Sequence, residues 1–408
     1  MNGYEDVIIV GGGPAGLFCA VCCATAKHAS VLEKMPEPGR KLLLSGTGRC
    51  NLTHGGNIDD FLEHYGEKGR FLKHGLYAFS NHDLRTFFQE RGVMCAEEDN
   101  GKVFPVSGGA SKILEVLLRE VERAGASVKT ACSIKSVSRG GEVFMLQTDR
   151  GEMTSRALVI ATGGKSYPYT GSTGDGFRFA ESLGHTLIEP GPALVPVYPE
   201  DYPFGDLAGI SIRDSALILY REGRRRGVHQ GDVLFTHRGL SGPGILDFSR
   251  KIREGDLLCL SLISAGLRGD FPEQLGSHLK SRASQSVKGV LSQWSIPERL
   301  AVRILQMTGI PMDLKCGNLS REKRRAMEEM ILSCTMKIGR LGDFREAMVT
   351  RGGVDLREVD ARTMESKIVS NLFFIGEVLD IDGDTGGYNL QACFSTAFLA
   401  GMSLRQRK

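Results

Sequence analysis

The first apolar segment, residues 6–10 (DVIIV), is short, continuous and β-branched, and glycines follow it at once. A run of that kind suits a strand buried on both faces, because a half-exposed strand would alternate apolar and polar positions. Pro14 then marks the first position of a helix, where its missing N–H costs no hydrogen bond. Small residues continue through Ala26, so this helix can lie close to a sheet, and residues 29–33 (ASVLE) read as the next strand. Strand, helix and strand within roughly thirty residues is the size of a mononucleotide-binding half. The first domain is therefore expected to bind a nucleotide.

Further along, residues 83–92 and 111–124 are patterned as helices, the second with Ile113, Leu114, Leu117, Leu118 and Val121 on one side. Strand-like runs follow at 127–137, 142–149 and 155–161. Pro190, Pro192, Pro196, Pro199 and Pro203 then crowd into a stretch unsuited to central secondary structure, which marks a boundary near residue 191. Beyond it, residues 207–263 alternate strand-like runs with turns, and residues 271–335 are charged and helical. From Leu372 a buried-strand pattern (LFFIGEVL) returns, followed by a small-residue helix over 389–404. The expected architecture is α/β: residues 1–190 and 340–408 form one discontinuous Rossmann-like domain, interrupted by a β-rich piece (191–270) and a helical piece (271–339).

Composition narrows the class. Lys+Arg 51 against Asp+Glu 48 leaves +3 over 408 residues, which argues against disorder and against a strongly basic nucleic-acid coat. The 52 glycines fall in short clusters without a repeat, as expected where backbone approaches a ligand. Several of the 10 cysteines (Cys19, Cys22, Cys23, Cys259, Cys393) lie in apolar segments of a chain too long to need disulfides, which points to a reducing cytoplasm. Val7 to Ala26 is uncharged for about the length of a membrane helix. Gly11, Gly12, Gly13 and Pro14 interrupt it, and Glu5 and Asp6 replace the basic start of a signal peptide. The expectation is a soluble cytoplasmic protein acting on a small molecule, away from membranes and nucleic acid.

Gly11, Gly13 and Gly16 form G-x-G-x-x-G, with Pro14 and Ala15 opening the helix, and Glu33 ends the next strand where an acid can accept from a ribose hydroxyl. The acid would repel a 2′-phosphate, so FAD or NAD is favoured over NADP. Residues 39–51 (GRKLLLSGTGRCN) combine Arg40, Lys41 and Arg49 with Ser45, Gly46, Gly48, Cys50 and Asn51, a loop able to neutralise diphosphate and present N–H groups. Ala161, Thr162 and Gly163 end a strand where open α/β sheets bind ligands. In FFIGEVLDIDGDTGGYNLQ, Gly376, Glu377, Gly386 and Gly387 precede a helix whose first N–H groups, near Asn389 and Leu390, can face a ring that becomes anionic on reduction. The acids of that stretch lack calcium-loop spacing, and Cys19, Cys22 and Cys23 lack a second pair at zinc spacing, so no metal is expected. Arg49 could lower the pKa of Cys50, which has no partner at disulfide spacing. His237 and Arg238 are candidates for meeting a substrate carbonyl or carboxylate, with a purely structural turn the alternative, and Arg224, Arg225 and Arg226 read as a solvated hairpin tip.

In order, GGGPAGLF, GRKLLLSGTGRCNLTH, LFTHRGLSGPGILDFS, TRGGVDLREVDARTMESKI and GEVLDIDGDTGGYNLQACFSTAFLAG resemble the BaiN-like flavoproteins over essentially the whole chain. These are also called the aminoacetone-oxidase-like or YhiN-like flavoproteins. The resemblance implies a glutathione-reductase-type FAD domain with a β-barrel-like and a helical insertion. It also implies non-covalent FAD held by Gly11, Gly13, Ala15, Glu33, Lys34, Arg40, Lys41, Asn51, Glu377, Asn389 and Leu390, with the backbone at Ile134 meeting the adenine. The favoured activity is NADH- or NADPH-linked reduction of an activated C=C or C=O bond of an apolar molecule such as an enone or ketosteroid, by hydride transfer through flavin N5; the alternatives are oxidation of a small amine such as aminoacetone with O2, or a tRNA-modifying or non-catalytic flavoprotein. A second G-x-G-x-x-G for a nicotinamide is absent, so such a donor would bind transiently.

Overall fold

The structure, a computed structural model, describes residues 3–23, 28–294 and 296–407. The chain divides into two compact units, Met1–Ala193 with Ala347–Lys408, and Leu194–Glu346. Each has a closed apolar core of its own.

In the first unit a seven-stranded sheet runs Ser127–Lys129, Ala29–Leu32, Gly3–Val10, Gly151–Ile160, Val143–Thr148, Ile134–Gly140, and Leu372–Phe374 also pairs with Gly151–Ile160. The last strand is shared because it is long: residues 151–155 pair antiparallel with one neighbour, and 158–160 pair parallel with the other. Val7, Ile8, Ile9 and Val10 are buried, as expected of a central parallel strand covered on both faces. The first helix, Pro14–Cys23, begins at the proline, while its expected continuation to Ala26 lies outside the described residues. It packs against the last helix, Tyr388–Gln406, so closely that a Cβ on Gly401 would lie 2.3 Å from Cys22 Cβ. The cysteines of that first helix are therefore packing residues, and burial raises the Cys22 thiol.

Two expectations shift. Pro190 and Pro192 lie within a strand, Leu187–Ala193, which pairs antiparallel with Val349–Val354 across a register irregularity between Ile188 and Gly191. A two-stranded ribbon has free edges on which a proline loses no ladder bond. In the second unit, strands Val197–Pro199, Leu240–Ser241, Arg224–Phe235, Ser211–Arg221, Leu257–Ser264 and Cys334–Leu341 close into a barrel. Its last strand falls inside the stretch read as helical up to 339, because the polar alternation of CTMKIGRL hides a half-buried strand. The helices Phe271–Ser281, Val287–Leu291, Glu298–Met307 and Arg321–Leu332 precede that strand and share one apolar core with the barrel, so the expected break at 270/271 divides a single unit.

One buried pair in the first unit sets an acid limit on stability. His185, with no exposed side-chain surface, has Nδ1 3.1 Å from Glu358 Oε2 and Nε2 2.9 Å from Ser366 Oγ. Burial lowers its pKa below the ordinary 6.5, and Glu358 only partly opposes this. The folded state thus favours the neutral ring, and its contribution to stability is complete above pH 6.5 and declines as pH falls below it. We expect the melting temperature to fall between about pH 6.5 and 5, by no more than one proton's worth (~1.4 kcal/mol per pH unit), and this limb to flatten in His185→Gln. Thermal melts at stepped pH check this, and identical profiles for both proteins would refute it.

Candidate functional site

The glycine loop separates three roles by geometry. Gly11 has φ +112°, and a Cβ there would lie 2.4 Å from the Ala161 carbonyl oxygen, so strand and following turn can meet only at a glycine. A Cβ on Gly16 would lie 2.0 Å from the Gly11 carbonyl oxygen, so the helix packs against the loop at a distance no side chain allows. Gly13 is different: a Cβ there would meet nothing within 4 Å. The fold itself does not require glycine at 13, which leaves space beside a helix start, where orphan N–H groups and the helix dipole favour an anion.

Glu33 holds the loop from behind, with its Oε2 accepting from Gly12 N–H (2.8 Å) and its Oε1 from Met35 N–H (2.8 Å). Each oxygen keeps a lone pair. Lys34 turns elsewhere, donating to Asp175 Oδ2 at 2.6 Å and to Thr173 Oγ1 at 2.5 Å. Its expected role at a cofactor competes with that ion pair. Ile134 is buried and starts a strand beside Thr148.

Lys41 and Glu377, 336 residues apart in sequence, meet at 2.7 Å. Lys41 Nζ also donates to Ser166 Oγ at 2.6 Å, Ser166 Oγ to Glu377 Oε1 at 2.9 Å, and Thr350 N–H to the same oxygen at 2.8 Å. Thr350 Oγ1 in turn accepts from the N–H groups of Lys165 and Ser166. A Cβ on Gly164 would lie 2.3 Å from Thr350 Oγ1, so the turn after Ala161, Thr162 and Gly163 is drawn onto this network. A Cβ on Gly376 would sit 3.0 Å from Ala15 Cβ, bringing the start of the first helix to the same place. Four separate sequence motifs thus converge on one spot.

The loop after Lys41 is internally braced. Ser45 Oγ donates to the Leu42 carbonyl, Gly46 and Gly48 have positive φ, and Asn51 accepts from Gly387 N–H and donates to the Thr53 carbonyl, both at 3.1 Å. Arg40 is half-buried. Arg49 faces outward, bonded to Glu98 and stacked 4.1 Å over Phe104, so it does not activate Cys50. Burial instead raises the Cys50 thiol to about 12, against the sequence expectation of an activated cysteine.

Residues 5–403 match the HI0933-like protein Rossmann domain. The chain belongs to the HI0933-like family. This is a family of FAD-dependent oxidoreductases and includes the BaiN-like and YhiN-like group that the sequence resembles. Among its relatives are proteins named ribosomal RNA dihydrouridine synthase, from Haemophilus influenzae (32% identical, 100% of each chain covered) and Escherichia coli (31%, 98% of each). A third is the 3-dehydro-bile acid delta(4,6)-reductase of Clostridium scindens (29%, 98% of each). Among solved structures, an open flavocytochrome c3 fumarate reductase superposes with a TM-score of 0.51 at 12% identity, covering 99% of this chain and 78% of its own. The 3-ketosteroid delta1-dehydrogenase of Sterolibacterium denitrificans gives 0.51 at 10%, covering 99% and 100%. At such identities they establish the fold alone.

In this HI0933-like chain the carboxylates of residues 380–384 each have a basic partner. Lys68 Nζ lies 2.5 Å from Asp380 Oδ1 and 3.0 Å from Asp382 Oδ1. Burial would lower the lysine pKa, but the two acids lift it above its ordinary value, while burial raises Asp380. His64 Nδ1 is 3.0 Å from Asp384 Oδ2, and its ring stacks on Tyr388 at 3.9 Å between centroids. Asn389 is engaged in holding the loop: its Oδ1 accepts from Gly383 N–H, and its Nδ2 donates to the carbonyls of Gly383 and Asp384. Leu390, half-buried, belongs with Tyr388 and Asn389 to a first helical turn that precedes the first intrahelical bond, Gln391 N–H to Gly387 carbonyl. Lys68, His64, Ser166 and Thr350 were missed by sequence reasoning. Ser166 and Thr350 each lie two residues from a glycine pair, whereas nothing in EHYGEK marks Lys68 or His64.

In the second unit, His237 and Arg238 are exposed on a turn braced by Thr236, whose Oγ1 accepts from Arg238 and Gly239 N–H. Arg224, Arg225 and Arg226 are exposed on the hairpin in which Arg221 opposes Arg224. Among the described residues, no group of three or more His, Cys, Asp or Glu could hold a metal, and no helix is long and apolar enough to cross a membrane.

Proposed function

We propose that this protein uses FAD to reduce a C=C bond conjugated to a carbonyl, and that its substrate is a uracil ring of ribosomal RNA. The full-length likeness to two ribosomal RNA dihydrouridine synthases carries this reading, which restores a class of partner that composition had set aside. The exposed Arg224–Arg226 hairpin and the excess of Lys and Arg over Asp and Glu in Leu194–Glu346 support it, since cations that neutralise phosphates supply most of the sequence-independent affinity for RNA. The likeness to a bile-acid reductase supports a second reading, an apolar dienone as substrate. Both substrates present the same electrophile.

The space at Gly13 and the helix start at Pro14–Ala15 fit a diphosphate, Glu33 fits ribose hydroxyls, and the first turn at Tyr388–Leu390 fits a ring that gains negative charge. When bound, FAD supplies hydride chemistry at the N5 position of its ring. Lys41, positioned by Glu377 and Ser166, places a cation at that site, and Asn389 fixes the loop over Gly383–Asp384.

The test is anaerobic incubation of the FAD-loaded full chain, with NADH or NADPH, against unmodified ribosomal RNA and, separately, a 3-oxo-4,6-diene steroid. Dihydrouridine in the digested RNA, read by mass spectrometry, is the expected result. Steroid reduction alone would establish the second reading. Flavin that is reduced only by an amine and reoxidised by O2 would overturn both.

A further inference from the structure

Adding hydrogen across a conjugated C=C bond needs a proton as well as a hydride, and several ionisable side chains stand around the loop at Gly383–Leu390. Its neighbours divide sharply. Cys50 and Cys393 are held as thiols, both pushed up to about 12 by burial. Tyr65 is buried and donates its hydroxyl to the Tyr388 carbonyl at 2.7 Å. Lys68 is held by Asp380 and Asp382. Both ring nitrogens of His54 face carbonyls, Nδ1 that of Gly55 (3.0 Å) and Nε2 that of Asn100 (3.1 Å).

Against these described side chains, His64 combines three properties. Its Nδ1 lies 3.0 Å from the Asp384 carboxylate, its side chain is 37% exposed, and its Nε2 has no hydrogen-bond partner among the described residues. The backbone repeats the connection, since Asp384 N–H donates to the His64 carbonyl at 3.0 Å. The Tyr388 ring, stacked on the imidazole at 3.9 Å, limits its rotation. A carboxylate on one ring nitrogen, with the other directed away from it, is the arrangement that orients an imidazole for proton transfer.

We propose that His64 is the proton donor of the reduction, with Asp384 its positioning residue. This rests on the reading of function given above. In the step, bound flavin, reduced by a nicotinamide, would supply a hydride, one hydrogen with two electrons, to the substrate's β-carbon. The π pair of the C=C bond moves onto the carbonyl as an enolate, and the α-carbon takes the proton from His64 Nε2. The ring is left neutral, with Nδ1–H donated to Asp384, and solvent returns the proton.

The experiment uses the full chain as wild type, His64→Ala, His64→Gln and Asp384→Asn. FAD affinity is measured by fluorescence titration, and single-turnover reoxidation of the reduced holoenzyme is measured with whichever of the two substrates the wild type reduces. The expected result is FAD affinity unchanged in all three variants, with reoxidation slowed about 10²–10⁴-fold in both His64 variants. Added imidazole should restore part of the rate in His64→Ala only, and Asp384→Asn should lower kcat with KM unchanged. Unchanged rates would overturn the assignment, as would slow rates without imidazole rescue or with weakened FAD binding, which mark a merely structural His64. A wild type that reduces neither substrate overturns the functional reading, and the assignment with it.

Discussion

Gly13→Asp is expected to lose FAD without losing the fold, and Gly16→Val to lose the fold first. The two positions lie three residues apart in one motif, yet a side chain at Gly13 enters open space, while at Gly16 its Cβ would sit 2.0 Å from the Gly11 carbonyl oxygen. In Gly13→Asp the added carboxylate occupies the approach to the first helix and repels a diphosphate. One like charge at close range in a partly desolvated site is enough to cost on the order of 3 kcal/mol, or about a hundredfold in affinity. The apo protein should melt where the wild type does. In Gly16→Val the clash is with backbone that cannot yield without moving the strand end, and overpacking of that kind costs about 1–3 kcal/mol or more. Melting of the apo proteins and FAD titration separate the two effects. Full FAD affinity in Gly13→Asp would remove the diphosphate from this loop.

The second large effect belongs to the pair that closes the site. Lys41→Met should leave Glu377 only 16% exposed and without its cation, retaining Ser166 and Thr350 as donors. Breaking a buried pair from one side costs about 3–5 kcal/mol, and the partial exposure of Lys41 (26%) reduces the expectation to roughly 2 kcal/mol. Replacing both partners, Lys41→Met with Glu377→Gln, should recover part of that loss, because no lone charge remains. A double-mutant cycle by chemical denaturation should therefore give a coupling of about 1–2 kcal/mol. Additive losses would mean that the two residues do not depend on each other. FAD affinity in the single variants should fall with stability, since the same network holds the turn after Ala161 and the end of the strand at Gly376.

How much of this was legible in sequence depended on the range of the signal. The Rossmann unit was legible because its strand, turn and helix are contiguous, and each residue's role follows from a local conformation: buried Val7–Val10, Gly11 at the turn, Pro14 at the helix start. The long amphipathic helix at Gly109–Arg123 was legible for the same reason. The barrel's closing strand was not, since Cys334–Leu341 pairs with residues far away and its alternation of polar and apolar positions resembles the charged helices before it. Within the site, the side chains expected to face a ligand were read from type alone, whereas the structure gives Lys34 to Asp175, Arg49 to Glu98 and Asn389 to its own loop. Charged groups pair with whatever the tertiary fold brings near, and Lys68 and His64 show the converse: ordinary residues in an unmarked segment gain their chemistry from carboxylates more than 300 positions away.

The ribbon formed by Leu187–Ala193 and Val349–Val354 has one more implication. Ala193 and Val349 are register partners, so the chain leaves the first unit and re-enters it at neighbouring points, about 5 Å apart for antiparallel partners. The chain from Leu194 to Glu346 is entered and left through that pair of neighbouring points, and the apolar cores described for the two units share no residue. The barrel and its helices are thus a cassette: a short turn joining Ala193 to Ala347 would complete the ribbon as an ordinary hairpin, and another module with adjacent ends could be spliced into the same opening.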